Sequence, residues 1–303
     1  MLKEVEQRAR PDCVLATNTS SLSVDGMAEA LERPQQLVGM HFFNPVHRMP
    51  LVEVVRGAKS SDEAVATVYK LALDLGKVPV VTSDMPGFVV NRILGPYLNE
   101  AGWLLADGAT IEQIDAAAKS FGMPMGPVRL LDEIGLDVAR HVATVLYDAY
   151  GERMLPSPPL QALAGGGRLG KKNARGFYKY EDGRESGVDE SVYGELALTA
   201  PARDRPDDDE IRMRLVLAMV NEAARTLSDR VVKRSGELDL AMIMGTGFPP
   251  FTGGLLRFAD TMGLDAIVAY LDDLANRAGA RFEPAPLLRE LVEKNTTFYQ
   301  AFG

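Results

Sequence analysis

The chain has 303 residues, of which 46% are hydrophobic, and it carries a formal net charge of -9. That length suits about two domains of ordinary apolar content. The acidic balance argues against a general binder of nucleic acid or anionic membranes, because phosphates would be repelled over most of the surface. Cys13 is the only cysteine, which excludes an intrachain disulfide and a four-thiolate metal site. We predict no metal site.

The first residues bear on where the protein resides and how the sequence begins. They are charged and contain no apolar core of the kind that a secretory signal needs, and no run of about 18 apolar residues follows. We therefore expect a cytoplasmic protein without a membrane span. Residues 2–8 have helical periodicity but no capping residue before them, which indicates a sequence truncated at its N-terminus.

Residues 13–83 alternate between strand patterns and helix patterns. Four short β-rich runs and two helical patterns follow one another, at residues 13–18, 24–31, 37–43, 51–57, 62–75 and 78–83. This alternation predicts an α/β sheet, in which we expect parallel strands. Ligands of such open sheets bind outside the carboxyl ends of the strands.

The chain becomes helical after Pro86. Residues 87–105, 111–121 and 131–150 are predicted as three amphipathic helices, and a short hairpin is expected around residues 176–180. The polar, proline-containing stretch that follows is predicted to be a linker.

Two sequence signatures recur in the same order in the second half of the chain. The run NEAGWLLADG from Asn99 is similar to NEAARTLSDR from Asn221, and GLD occurs at residues 135–137 and again at residues 263–265. We interpret these pairs as an internal duplication of about 120 residues. Two copies predict pairing of like helices across a pseudo-twofold axis.

The segment HFFNPV, residues 41–46, ends the second predicted strand, and Glu53 lies on the third. An imidazole can accept a proton near neutral pH, and a neighbouring carboxylate would fix its tautomer and stabilise its charged form. His41 is therefore a candidate general base with Glu53 as its partner. A lone histidine is more often a structural residue, and we keep that interpretation for His47 and His141.

Six motifs occur in an order and spacing that resemble those of 3-hydroxyacyl-CoA dehydrogenases. They are TNTSSL (17–22), HFFNPV (41–46), LVEV (51–54), PGFVVNR (86–92), PMGPVRLLDEIGLD (124–137) and GKKNARGFYKY (170–180). The resemblance extends to about Tyr180, and the remainder is similar to the second helical repeat of multifunctional fatty acid oxidation α subunits. It implies NAD as cofactor and a 3-hydroxyacyl-CoA as substrate.

The same resemblance implies the fold. We expect an α/β remnant, the C-terminal part of a Rossmann-like NAD-binding domain, followed by two duplicated all-α domains of the dehydrogenase C-terminal type. The expected boundaries are 1–84 for the partial dinucleotide-binding domain, 85–182 for the first helical domain, 183–207 for the linker and 208–303 for the second helical repeat. The resemblance also implies a thiolase subunit and an upstream hydratase domain as partners.

Residue roles follow from the resemblance as well. His41 corresponds to the catalytic histidine and Glu53 to its carboxylate partner. Ser20 and Asn91 correspond to residues that hydrogen-bond the reacting oxygen and nearby substrate or cofactor groups. Asn44 lies in the segment that lines the substrate pocket. The expected cofactor contacts are Asn18 and Ser20.

A glycine-rich phosphate turn is the part of such a domain that we do not find in its usual context. No G-x-G-x-x-G precedes Cys13, and the literal match at residues 165–170 follows a helical stretch and leads into a lysine-rich loop. The strand-turn-helix context that binds a pyrophosphate is therefore missing there. We expect either a fragment of a longer polypeptide or a sheet completed by another chain.

Three functions remain open on the sequence. The leading hypothesis is NAD-dependent oxidation of 3-hydroxyacyl-CoA in fatty acid β-oxidation. The alternative is a non-catalytic acyl-CoA-binding or assembly fragment that lacks a competent NAD site. A third hypothesis is a dehydrogenase of other β-hydroxy acids with similar architecture, which HFFNP and GFYKY disfavour.

Overall fold

A computed structural model describes residues 2–20, 22–197 and 205–303. Its strands are β1 (Leu15–Thr17), β2 (Leu37–Phe42), β3 (Leu51–Arg56), β4 (Val78–Ser83), β5 (Tyr178–Glu181) and β6 (Arg184–Val188). Its helices are α1 (Leu2–Arg8), α2 (Val24–Ala28), α3 (Asp62–Asp74), α4 (Val90–Ala106), α5 (Ile111–Phe121), α6 (Pro127–Ile134), α7 (Leu136–Tyr150), α8 (Pro158–Gly165), α9 (Ser191–Glu195), α10 (Asp208–Ser228), α11 (Ser235–Thr246), α12 (Leu255–Met262), α13 (Leu264–Ala278), α14 (Pro286–Glu293) and α15 (Phe298–Phe302). Within the described residues, none of these helices is long and apolar enough to cross a bilayer.

The predicted α/β sheet is present, but it is mixed rather than parallel. Its strand order is β1-β2-β3-β4, with β1 parallel to β2, β3 parallel to β4, and β3 antiparallel to β2. The expectation of parallel strands was wrong at the β2–β3 pair, because residues 43–50 connect the two strands without a crossover helix, which a parallel pair would need.

Side chains of β2 and β3 alternate between two covered faces of the sheet. Val38, Met40, Val52 and Val54 form one buried cluster with the apolar side of α3. On the opposite face, Leu37 and Val55 form a second cluster with α2 and Phe88. His41 and Glu53 follow the same alternation as Leu37 and Val55, so they lie on this second face.

Two sequence predictions beyond the sheet need correction. Residues 131–150 are not one helix, because Gly135 takes a φ of 98° and separates α6 from α7. The predicted linker 183–207 is partly ordered, since β6 pairs with β5 to complete the hairpin and α9 follows. Residues 198–204 of that linker lie outside the described residues.

The predicted duplication reappears as equivalent hydrogen bonds in the two halves. Asp115 on α5 accepts the backbone N–H of Val128 at 2.8 Å, and Asp239 on α11 accepts that of Leu256 at 2.7 Å. The hydroxyls of two tyrosines, Tyr178 and Tyr299, donate to these same aspartates. The asparagine that begins each repeated signature forms hydrogen bonds with the backbone of a distant loop. Asn99 bonds to Leu155 and Ser157, and Asn221 bonds to Glu283 and Ala285.

Ion pairs join the repeats reciprocally. Arg281 of the second repeat donates to Glu100 of the first at 2.7 Å, and Arg153 of the first donates to Glu222 of the second at 3.2 Å. Such exchange of equivalent partners is what an isologous twofold contact produces. It agrees with the pseudo-twofold pairing expected from the sequence.

The chain packs as two compact units. One comprises Met1–Arg92, Ala223–Thr261 and Glu293–Gly303, and the other comprises Ile93–Glu222 and Met262–Val292. The sheet therefore shares a unit with α11, α12 and α15 of the second repeat, so packing does not follow the order of the chain. The domain boundaries drawn on the sequence stay predictions.

Candidate active site

A buried histidine and a buried glutamate face each other across the β2–β3 pair. His41 and Glu53 are directly opposite in the antiparallel register, which places both side chains on one face of the sheet. His41 Nδ1 lies 2.7 Å from Glu53 Oε2, and the two residues are 5% and 0% exposed. The reversal of β3 thus creates the contact that the sequence hypothesis required.

Glu53 is also bound by the amino terminus of α4. Its Oε1 accepts the backbone N–H groups of Val89 and Val90, each at 3.0 Å. Unpaired N–H groups and the helix dipole both favour a negative charge at this point. Backbone donors thus bind one carboxyl oxygen of Glu53, and the ring of His41 lies against the other.

This arrangement fixes the tautomer of His41. A carboxylate can only accept hydrogen bonds, so His41 Nδ1 carries the proton that it shares with Glu53. The other ring nitrogen, Nε2, is then the one with a free lone pair. A neutral imidazole oriented in this way can take a proton at Nε2, and the buried carboxylate stabilises the imidazolium that results.

Two aromatic rings flank the imidazole. The ring centroid of Phe43 lies 4.6 Å from that of His41, and the centroid of Phe88 lies 5.6 Å away, both in tilted arrangements. Phe88 adopts a φ of 48° just before α4, where the chain turns towards the Glu53 carboxylate. The rings restrict the rotation of the imidazole and keep water from its faces.

The segment after β1 is tied to the end of β2. Asn18 Oδ1 accepts the backbone N–H of Phe42 at 3.1 Å, so the TNTSSL segment starts beside the catalytic candidate. Ser20 is exposed on this segment, and Asn44 is exposed on the segment that leaves β2 through a cis Asn44–Pro45 peptide. Asn91 is half-buried at the second position of α4.

The structure thus brings His41 and Glu53 into direct contact, and it joins the Asn18 side chain to the backbone of Phe42, the residue after His41. Ser20, Asn44 and Asn91 lie on the segments that surround this pair rather than in its hydrogen bonds. Their assignment to substrate or cofactor stays a prediction.

Sequence reasoning did not identify the backbone donors at Val89 and Val90 or the ring of Phe88. The side-chain pattern of a sequence does not reveal which backbone N–H groups bind a ligand or a carboxylate. Only the prediction that a helix starts after PGF could have indicated these two donors. Phe88 lies inside a recognised motif and could have been considered. Ser23 was also missed, although it caps α2 and donates to Asp84 at 2.7 Å, which fixes the chain after the TNTSSL segment.

The literal G-x-G-x-x-G at residues 165–170 is not a phosphate turn. It follows the end of α8, and Arg168 within it is fully buried and bound by Asp189 and Glu195 at 2.7 Å. The segment is therefore held in place by ion pairs within the protein, and it lacks the strand-turn-helix context of a dinucleotide-binding turn.

Family models match most of the chain. Residues 1–85 match the model described as the 3-hydroxyacyl-CoA dehydrogenase NAD binding domain. Residues 87–180 and 211–299 each match the model of the C-terminal domain of the same enzymes. The double match confirms the duplication.

Curated relatives are similar over the whole of this chain. A fatty acid oxidation complex subunit alpha from Psychrobacter arcticus is 47% identical over 306 residues, covering 99% of this chain and 42% of the relative. The protein of the same name from Acinetobacter baumannii strain SDF is 44% identical with the same coverage. The chain therefore spans 42% of the length of these relatives.

Solved structures show the same fold. A 3-hydroxybutyryl-CoA dehydrogenase from Escherichia coli K12 superposes with a TM-score of 0.82 at 30% identity, covering 97% of this chain and 78% of that one. The dehydrogenase part of multifunctional enzyme 1 from C. elegans gives a TM-score of 0.68 at 30% identity, covering 95% and 67%.

Proposed function

Because the chain belongs to the 3-hydroxyacyl-CoA dehydrogenase family, we propose that it carries out the NAD-dependent oxidation of (S)-3-hydroxyacyl-CoA to 3-oxoacyl-CoA in fatty acid β-oxidation. The observation that supports this most is the His41–Glu53 pair. An imidazole whose Nδ1 is held by a buried carboxylate is suited to accept one proton at Nε2.

The reaction requires two transfers from one secondary alcohol. A bound NAD would supply the acceptor for the hydride of carbon 3, and Asn18 and Ser20 are the residues that would hold it. His41 Nε2 accepts the hydroxyl proton as the carbonyl forms, and the Glu53 carboxylate stabilises the imidazolium. The substrate thus loses one hydride and one proton, and the reverse reaction returns both.

We assign the remaining roles by position. The Ser20 hydroxyl and the Asn91 amide hold the reacting oxygen, and Asn44 contacts the substrate beyond it. Asn18 and Ser20 contact the nicotinamide end of the cofactor. These four residues flank the carboxyl ends of β1 and β2 and the start of α4, which supports a common site.

The proposal is tested by mixing the purified chain with NADH and acetoacetyl-CoA and following the absorbance of the reduced nicotinamide. We expect oxidation of NADH with the thioester and none with free acetoacetate. Equal turnover of both compounds would indicate a dehydrogenase of free acids, and no turnover with NADH bound would refute the assignment. Quenching of intrinsic fluorescence by NADH measures cofactor binding separately.

We also propose that the chain functions in the cytoplasm within a larger assembly that contains a hydratase domain and a thiolase subunit. The names of the curated relatives, subunits of a fatty acid oxidation complex, support membership of an assembly, and the hydratase domain and thiolase subunit are part of the proposal. Gel filtration of the chain with and without a thiolase subunit tests it, because a complex would elute earlier than either component.

A further inference from the structure

The turn between α11 and α12 carries the most exposed large apolar side chain among the described residues. Phe251 is 78% exposed and lies in the middle of a 3₁₀ turn, Pro250–Thr252. Thr252 Oγ1 donates to the carbonyl of Pro249 at 2.7 Å, and two prolines precede Phe251. The turn is therefore rigid, and its aromatic ring is exposed to solvent. Because the backbone is already ordered, binding of a ligand to the ring would cost little conformational entropy.

The first repeat provides an internal reference for this turn. In the first repeat, Asp115 accepts the N–H of Val128, which lies 13 residues further along the chain. In the second repeat, Asp239 accepts the N–H of Leu256, which lies 17 residues further along. Both turns begin at a left-handed glycine, Gly122 or Gly247. The second repeat thus preserves the hydrogen bond and adds residues that include the 3₁₀ turn. The added turn is not needed to close the helix pair.

The position of α11 directs this turn towards the candidate site. α11 packs on β3 and β4. Near its carboxyl end, a Cβ added to Gly245 would lie 2.7 Å from Leu51 and 3.0 Å from Val90. Leu51 precedes Glu53 by two residues and shares its face of the sheet, and the N–H of Val90 binds Glu53. The turn therefore leaves α11 at the edge where β2 ends and β3 begins, on the face that holds His41.

We propose that Phe251 contacts the acyl chain of the substrate and favours long-chain over short-chain 3-hydroxyacyl-CoA. This inference rests on the proposed function and adds a specificity residue from the second repeat. Phe251 follows Gly245 by six residues, and the Gly245 backbone packs against Leu51 and Val90. A flexible alkyl chain that extends from the thioester towards this turn would cover the exposed phenyl ring, which is 78% exposed without it. Under this proposal, a short acyl group has too few carbons to contact the ring, so the preference depends on chain length.

The experiment measures binding and turnover for two chain lengths in the full chain. Titration calorimetry with hexadecanoyl-CoA and butanoyl-CoA gives dissociation constants without catalysis, and 3-oxohexadecanoyl-CoA and acetoacetyl-CoA give kcat and KM. Phe251→Ala should weaken hexadecanoyl-CoA by about ten- to hundredfold, the factor that burial of a phenyl side chain contributes. Butanoyl-CoA should change less than about twofold, and Phe251→Leu should restore most of the loss.

Leu73→Ala is the matched control, because Leu73 is 52% exposed on α3, which covers the opposite face of the sheet. It should leave both dissociation constants unchanged. If Phe251→Ala affects both chain lengths alike, or neither, the inference is wrong even where acetoacetyl-CoA is turned over. If hexadecanoyl-CoA binds through Phe251 but no substrate is turned over, the proposed function fails and the acyl contact stands.

Discussion

Replacing Glu53 with glutamine should abolish most turnover while preserving the fold. The glutamine Oε1 can still accept the N–H groups of Val89 and Val90, which Glu53 accepts at 3.0 Å. Its amide group would then face His41 Nδ1, where the carboxylate now lies 2.7 Å away. An amide N–H in that position makes Nδ1 an acceptor, so the proton moves to Nε2 and the base loses its lone pair.

The expected loss in kcat is about 10³- to 10⁴-fold, by comparison with the aspartate-to-asparagine change in a protease triad, which imposes the wrong tautomer. This corresponds to about 4–5.5 kcal/mol in the activation free energy. The cost in folding stability should be only that of one charge-assisted hydrogen bond, about 1.5–3 kcal/mol.

The assay is NADH oxidation with saturating acetoacetyl-CoA, together with a thermal melt of each variant. Glu6→Gln is a suitable control, because Glu6 is 3% exposed and also accepts two backbone N–H groups, but it has no histidine partner. It should retain wild-type kcat. A folded Glu53→Gln variant whose kcat lies within tenfold of wild type would refute the tautomer argument.

Two further predictions concern stability. Burial raises the pKa of Asp132 to about 6, although hydrogen bonds from Tyr178 and Phe177 oppose the rise. Because the pKa is higher in the folded than in the unfolded protein, the protonated Asp132 stabilises the fold fully below about pH 4. This stabilisation, up to about 3 kcal/mol, is lost as the pH rises through about 6. Chemical denaturation of Asp132→Asn across that window should lack this decline, and parallel curves for variant and wild type would contradict it. Glu100→Ala should cost about 3 kcal/mol, the lower end for a broken buried pair, because it removes the carboxylate 2.6 Å from the buried Arg214, which keeps Asp107 at 2.8 Å. A shift in melting temperature no larger than that caused by breaking an exposed pair such as Lys70–Asp74 would contradict this.

The sequence allowed the duplication and the central pair to be predicted for different reasons. The two repeats keep their asparagines and glycines because these residues make the same hydrogen bonds in each copy, as at Asn99 and Asn221. His41 and Glu53 could be paired from the family resemblance. The antiparallel register that places them opposite each other depends on how the loop between the two strands turns. Hydrophobic periodicity does not predict that turn.

Other features could not be read from the chain because they depend on tertiary packing. The break at Gly135 lies within a continuous apolar pattern, and a glycine alone does not specify its φ. Grouping of α11 with the sheet arises from contacts between residues more than 150 positions apart in the chain, such as Leu51 and Gly245. The propensities of residues for helix or strand contain no information on such contacts. The sequence therefore did not relate the turn at Phe251 to the candidate site.

Single-turnover kinetics of His41→Ala provide the most direct test that His41 is the general base. With the chain, NADH and acetoacetyl-CoA mixed rapidly, we predict that the rate of NADH oxidation falls by about 10²- to 10⁴-fold, while the concentration of acetoacetyl-CoA giving half the maximal rate changes little. A variant that folds, binds the thioester and oxidises NADH at nearly the wild-type rate would contradict the assignment.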